Sequence, residues 1–245
     1  MSSTTTKQTK EQLPTGIEGL DNVLNGGIPR GHCVLLAGSC GTGKTVLSQQ
    51  FIFSGAKDGE VGVYISLVEP KEKMMKNLQS FKFFDEKYIE EGTINIVDIT
   101  QDARLKGIGL NNVQGLINII RGVVLDTGAK RVIIDSITAL CENLGDKTRI
   151  RDFIFELGFQ LTYLDCTTIL ISEIPPLTFA YSVFGIEEFI ADGVILLSEF
   201  ERKGELLRGL QVIKMRGVNH SRNKQVMKIM EDGITLVPMF KASIE

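Results

Sequence analysis

Eight consecutive residues, Gly38-Ser-Cys-Gly-Thr-Gly43-Lys44-Thr45, place three glycines, a lysine and a hydroxyl within one short run. Glycines at such spacing let backbone N–H groups curl around an anion with no Cβ in the way. The lysine adds a cation at the far side of that anion, and the threonine offers a hard oxygen donor. The run fits the Walker A pattern at every fixed position, a cradle for the β- and γ-phosphates of ATP with Mg²⁺. A chance match in a chain of average composition is about a one per cent event. The candidate nucleotide-binding set is therefore Gly38, Ser39, Cys40, Gly41, Thr42, Gly43, Lys44 and Thr45, with Val46 on the first helical turn that follows. The N-terminal amides of that helix would face the same phosphates.

A Mg²⁺ ion held beside a phosphate cradle needs a further oxygen donor at the end of a neighbouring strand. Asp135, ending Arg131-Val-Ile-Ile-Asp135, is the candidate, so Thr45 and Asp135 form the expected metal set. A strand-terminal aspartate also serves often as a turn or cap residue. Hydrolysis further needs a carboxylate to polarise water. Glu69, just past Tyr64-Ile-Ser-Leu67, stands where such a base is needed, although a glutamate beside Pro70 can equally be a solvated surface residue.

The elements that would position these groups alternate strand and helix. Apolar runs over 33–37, 61–67, 94–99, 131–135 and 167–172 read as strands. Helical patterns cover 45–56, roughly 70–82, 113–126 and 147–164. The last helix has the clearest period, through Ile150, Phe153, Ile154, Leu157, Leu161 and Leu164, and Asp146 is placed to cap it. Near-continuous apolar strands between helices predict an α/β fold with a mostly parallel sheet covered on both faces. The final fifty residues change character. Strands over 194–200, 209–215, 225–230 and 234–237, with Arg202-Lys-Gly204 and Glu231-Asp-Gly233 as turns, predict antiparallel C-terminal strands.

A length of 245 residues suits one large α/β domain. Residues 1 to about 12 are polar and read as a flexible tail, with the domain spanning 13–245. The formal net charge of −3 argues against general nucleic-acid binding, which usually needs a basic excess. The scattered cysteines Cys33, Cys40, Cys141 and Cys166 include no Cys-x-x-Cys pair. They fit free thiols in a reducing cytosol, with Cys33 and Cys166 packed as small hydrophobes. The start MSSTTTKQTKEQ lacks an apolar leader and no run is long enough to span a bilayer, which predicts a cytoplasmic protein without membrane contact.

Several further stretches identify a family. Thr15-Gly-Ile-Glu-Gly-Leu-Asp21 and Gly26-Gly-Ile-Pro-Arg-Gly31 lead into the Walker A run. Asp135-Ser136, Gly185-Ile-Glu-Glu-Phe-Ile-Ala-Asp192 and Lys214-Met-Arg-Gly-Val-Asn-His220 follow it. From Leu13 to Val237 the chain resembles the KaiC-like branch of the RecA/RadA ATPase superfamily, and the Lys-Met-Arg-Gly-x-x-His run is the stretch specific to that branch. The resemblance implies a RecA-like P-loop NTPase core and homo-oligomeric rings, usually hexameric, with ATP at subunit interfaces. It also implies that Lys214 and Arg216 act in trans as catalytic cations on the neighbour's γ-phosphate, with Asn219 and His220 near its ribose. Two cations at i and i+2 on a strand do point to one face, although lysine and arginine are also common on solvated strand edges.

This chain departs from the family at three places. KaiC-like proteins commonly carry two adjacent glutamates after the second strand, and the first corresponds to the catalytic one. Here that position is Val68 and only Glu69 remains, which predicts slow hydrolysis. The chain resembles one half of the double-domain clock protein, so a clock role is not carried over. Cys40 occupies a position where small residues or proline are usual. The segment 174–184, in the place of a recombinase DNA loop, contains aromatic residues but no lysine or arginine, and suits a protein contact better than DNA. The expectation is thus a slowly hydrolysing ATPase that forms an oligomeric regulatory or signalling module and engages a further protein partner. A nucleotide-occupancy switch of negligible turnover and a DNA-acting recombinase paralogue are the alternatives.

Overall fold

The structure is a computed structural model and describes residues 11–99, 112–176, 178 and 180–239. The first ten residues of the expected tail lie outside the described residues. Glu11 and Gln12 do not belong to a tail. Gln12 pairs with Pro29 between the short strands β1 (Gln12–Leu13) and β2 (Ile28–Pro29), and Arg30 holds the Glu11 carboxylate at 3.2 Å. Two backbone partners and an ion pair order these residues despite their polarity.

Between β1 and β2 lies a single helical turn, α1 (Leu20–Val23). The chain then runs through β3 (Cys33–Gly38), α2 (Lys44–Lys57), β4 (Gly62–Ser66), α3 (Lys71–Leu78), α4 (Lys87–Glu90) and β5 (Ile94–Asp98). After the segment outside the described residues come α5 (Val113–Thr127), β6 (Arg131–Asp135), α6 (Ile137–Glu142), α7 (Lys147–Tyr163) and β7 (Thr167–Glu173). The chain closes with α8 (Glu187–Ile190), β8 (Gly193–Arg202), β9 (Glu205–Met215), β10 (Gln225–Met230) and β11 (Gly233–Pro238).

The main sheet has nine strands in the order β11-β10-β9-β8-β3-β7-β6-β4-β5. Strands from β8 through β5 are parallel, and β8 to β11 are joined antiparallel. This is the expected α/β architecture. The parallel strands read as unbroken apolar runs because both faces are covered. Val34, Leu36 and Tyr64 face α1, α2 and α3, while Leu35, Ile65 and Ile134 face α5, α6 and α7. Each fully buried side chain of this size stabilises the fold by about 1.5–3 kcal/mol.

Helix ends follow local chemistry. The Asp146 carboxylate accepts from Thr148 N and Arg149 N at 2.9 and 3.1 Å and caps α7, as its sequence predicts. Asn112 caps α5 through Gly115 N, and Gly128 ends it at φ 67°. Cys33 and Cys166 are buried, and desolvation pushes both thiols up.

Arg131, at the foot of β6, is only 1% exposed. It pairs with Glu60 at 2.7 Å, donates to Pro14 O and Phe51 O at 3.0 and 2.8 Å, and stacks over the Phe51 ring. Glu60 also takes Arg30 at 2.8 Å. A buried guanidinium is tolerable only when so many donors find acceptors. Gly55 makes room for it, since a Cβ there would lie 2.3 Å from Arg131 Nε.

Candidate functional site

The β3–α2 turn sits at the C-terminal edge of the parallel strands, where open α/β sheets place ligands. Gly41 and Gly43 adopt φ of 81° and 96°, left-handed values that a side chain would strain. A Cβ on Gly38 would meet Thr42 Oγ1 at 2.7 Å and Leu197 O at 2.9 Å, so the turn can be this tight only with glycine. The Thr42 hydroxyl donates to Ser39 O at 2.8 Å and pins the curl. The α2 helix starts from Gly43 with no side-chain cap, so its first amides are free to bind an anion.

Lys44 is buried, and its Nζ donates to Gly38 O and Ser39 O at 2.9 and 2.8 Å. Burial holds its pKa below the ordinary lysine value, against the opposing pull of Glu173 and Asp135. Cys40 is exposed at the rim and Val46 packs partly into the core beneath. Thr45 Oγ1 donates to Asp135 Oδ2 at 3.3 Å, and the same oxygen accepts from the Tyr64 hydroxyl at 2.5 Å. Burial raises the Asp135 pKa, and the hydrogen bonds from Tyr64 and Thr45 work against that rise. The peptide between Asp135 and Ser136 is cis.

A triphosphate and Mg²⁺ fit these residues. The glycines permit the tight turn with its left-handed Gly41 and Gly43, and α2 offers its amides to an anion. The hydroxyl of Thr45 and the carboxylate of Asp135 are hard oxygen donors, the type Mg²⁺ takes alongside phosphate oxygens.

Glu69 lies next to this cluster, with its carboxylate turned to α3. Its Oε1 accepts from Asn77 Nδ2 at 3.0 Å and pairs with Lys73 at 3.3 Å. The Ser66 side chain clamps its backbone, donating to Glu69 O at 2.6 Å and accepting from Glu69 N at 3.1 Å. Val68 points to solvent and is 62% exposed.

Lys214 and Arg216 stand at the other end of the strands, with Asn219 and His220 in the loop that follows. Lys214 pairs with Val194, and Val194 with Leu35. Arg216 N bonds Asp192 O, and Asp192 N bonds Cys33 O. Cys33 is five residues before Gly38, so Arg216 lies about 16 Å down the strands from the turn. Neither cation can reach the P-loop of its own chain. Lys214 Nζ donates to Glu188 O and Ala191 O at 3.1 and 2.6 Å, and burial followed by the neighbouring Arg216 charge lowers its pKa. Arg216 pairs with Asp192 at 3.1 Å and also donates to Phe189 O. The Asn219 carbonyl accepts from Asn25, and His220 rests beside Ser221, whose N–H bonds Val23 O at the end of α1.

Three residues near the turn have no place in the sequence reading. Glu173 ends β7 opposite Gly38, and its charge acts on Lys44 and Asp135. A carboxylate ending a strand, as Asp135 does, was the available signal. Tyr64 reaches Asp135 from β4, and Arg208 on β9 donates from Nε to Gly41 O at 3.0 Å. Both contacts depend on strand register and carry no local signal. Glu187, within the family stretch 185–192, is fully buried and shapes the preceding loop, accepting from Val183 N and Ile186 N at 3.3 and 3.1 Å.

Comparison with known proteins agrees with this geometry. A family model described as "ATPase: KaiC" matches residues 13–240. A UPF0273 protein of Methanopyrus kandleri is 40% identical, over 93% of this chain and 92% of that protein. The circadian clock oscillator protein KaiC of a Nostoc species is 33% identical over 94% of this chain, which spans 44% of that longer protein. The crystal structure of a KaiC-like protein from the hyperthermophilic archaeon Pyrococcus horikoshii superposes with a TM-score of 0.83 at 38% identity, covering 93% of this chain and 99% of that one. With a nine-stranded RecA-type sheet and a match along nearly its whole length, the chain belongs to the KaiC family of ATPases.

Proposed function

We propose that this protein binds Mg-ATP at Gly38–Thr45 and assembles into homo-oligomeric rings in which each nucleotide is completed by the next subunit. One observation carries the reading: Lys44, Thr45 and Asp135 cluster at one end of the sheet while Lys214 and Arg216 lie at the other. A site whose cations lie down the strands from its own cradle, Arg216 by about 16 Å and Lys214 level with Leu35, is complete only across an interface. Phe189, whose carbonyl accepts from Arg216, is 69% exposed, so an apolar contact is available beside the outgoing cation.

Within that reading the backbone amides of the turn and Lys44 bind and orient the phosphates. Thr45 and Asp135 would hold Mg²⁺, which neutralises phosphate charge when bound. Lys214 and Arg216 of the adjacent subunit would stabilise charge on the terminal phosphate, and Asn219 and His220 would meet the nucleotide's sugar side. Glu69 is the carboxylate left past β4 for orienting water, and its side chain is engaged with Lys73 and Asn77 and turned to α3. That engagement favours a second reading, in which nucleotide occupancy alone drives assembly and turnover is negligible. In either case the output is regulatory and passes to a protein partner, for which Tyr181 and Val183, 40% and 39% exposed, offer contacts free of basic residues. Among the described residues no helix is long and apolar enough to cross a membrane.

Mass action supplies the test. A ligand shared between subunits favours the assembled state, so Mg-ATP should convert the protein to a ring in light-scattering measurements. A monomer at micromolar protein and millimolar Mg-ATP would refute the proposal.

A further inference from the structure

The floor of the candidate metal site contains a tyrosine that the mechanism above does not use. Tyr64 is wholly buried under α2, on the strand beside that of Asp135. Ser66 is level with Asp135 in the parallel pairing, so Tyr64 is its diagonal neighbour on the same face. Its hydroxyl therefore arrives at Asp135 Oδ2, at 2.5 Å. Oδ2 accepts from Thr45 as well, and Oδ1 has no protein hydrogen bond among the described residues.

We infer that Tyr64 is a positioning residue: its hydroxyl fixes the Asp135 carboxylate so that Oδ1 and the Thr45 hydroxyl are presented together to the Mg²⁺ of the bound nucleotide. The inference rests on the reading of the P-loop as a Mg-nucleotide site. A carboxylate at a strand end can rotate about its Cα–Cβ and Cβ–Cγ bonds. Two donors on one oxygen stop both rotations and leave the other oxygen with a set direction. In this contact the phenol hydroxyl is the donor and the carboxylate the acceptor. The bland alternative is that Tyr64 fills the core and merely finds an acceptor. That role would leave metal affinity untouched when only the hydroxyl is removed.

Tyr64→Phe removes that hydroxyl and keeps the ring. Outer-shell partners of a metal carboxylate typically contribute about 10- to 100-fold in metal affinity. Mn²⁺ serves as the probe, with its loss from the free aquo-ion signal followed by electron paramagnetic resonance in the presence of ADP. The affinity of Tyr64→Phe for Mn²⁺ should fall by about 10-fold or more, while ADP affinity in EDTA stays at the wild-type value. Unchanged Mn²⁺ affinity overturns the inference, and so does an equal loss of ADP affinity in EDTA, which marks a packing role. If the wild-type protein takes up no Mn²⁺ with ADP, the underlying reading of the site fails instead. A second measurement covers a variant that does not fold. The chain has four tyrosines. Replacing Tyr88, Tyr163 and Tyr181 with phenylalanine leaves Tyr64 as the sole [¹³Cζ]tyrosine signal. That resonance should move when Mg²⁺ is added to the ADP complex, and a static resonance under saturating Mg²⁺ refutes the role.

Discussion

Arg216→Ala separates the cost of folding from the cost of catalysis. In its own chain the guanidinium pairs at 3.1 Å with Asp192 and is 54% exposed, so the pair contributes only about 0–1 kcal/mol to stability. For a chain of this size that corresponds to a melting shift of about 2–4 °C at most. ATP binding at the P-loop should be nearly unchanged, because Arg216 lies at the far end of the strands. Turnover should fall by about 10³-fold, the low end for an arginine supplied in trans, since Lys214 remains. Mixing gives the decisive measurement. In an equal mixture with Lys44→Ala subunits, half the P-loops are intact and half of their neighbours donate Arg216. Phosphate release per subunit should therefore recover to about a quarter of the wild-type rate. A mixture that assembles but recovers nothing would show that Arg216 does not act across an interface.

Lys44→Ala removes the ammonium that Gly38 O and Ser39 O hold over the turn, and ATP affinity measured by calorimetry should drop about 100-fold, the equivalent of ~3 kcal/mol for a charged hydrogen bond, while the fold survives. Glu69→Gln should abolish whatever slow phosphate release the wild type shows without weakening ATP binding, and Val68→Glu should raise the rate. Release that ignores both changes would shift the reading to the occupancy switch. The Glu60 carboxyl is raised by burial but pulled below its ordinary 4.5 by Arg131 and Arg30, so it adds stability that is complete above pH 4.5 and lost as pH falls through the lowered value. Arg131→Met takes away the main opposing partner and brings the folded value back up, so urea midpoints should fall less steeply below pH 4.5 than in the wild type, and identical acid limbs would count against the pairing.

What could be read in advance was whatever is encoded locally. The P-loop, the α7 period with its Asp146 cap, and the antiparallel finish each rest on residues within one or two turns of one another. The short α1, α6 and α8 escaped because four to six residues cannot display a helical period. Tyr64 and Arg208 escaped for a different reason. Their partners, Asp135 and Gly41, are 71 and 167 residues away in sequence, and only the strand order β9-β8-β3-β7-β6-β4 brings them together. The ties of Glu69 to Lys73 and Asn77 carry no local signal, since they depend on how α3 packs.

The separation of cradle and cations along one sheet explains why the antiparallel finish matters for function. Strands β3 and β8 run the same way, so a cation on β8 near its start would sit low and one near its end would sit beside the chain's own phosphates. Because β9 returns antiparallel from β8, its last residues, Lys214 and Met215, fall back to the level of Val194 and Gly193. The turn at 216–217 then projects Arg216 from the lower end, tied loosely to Asp192 and a single carbonyl. A guanidinium so held can exchange those exposed partners for a phosphate at little cost, since surface ion pairs are worth so little. On the trans reading each chain thus carries a binding half at one end and a catalytic half at the other. Nucleotide binding and ring closure then draw on the same contacts, so each must strengthen the other. A subunit with an intact P-loop and no neighbour should bind ATP more weakly than the same P-loop in the ring.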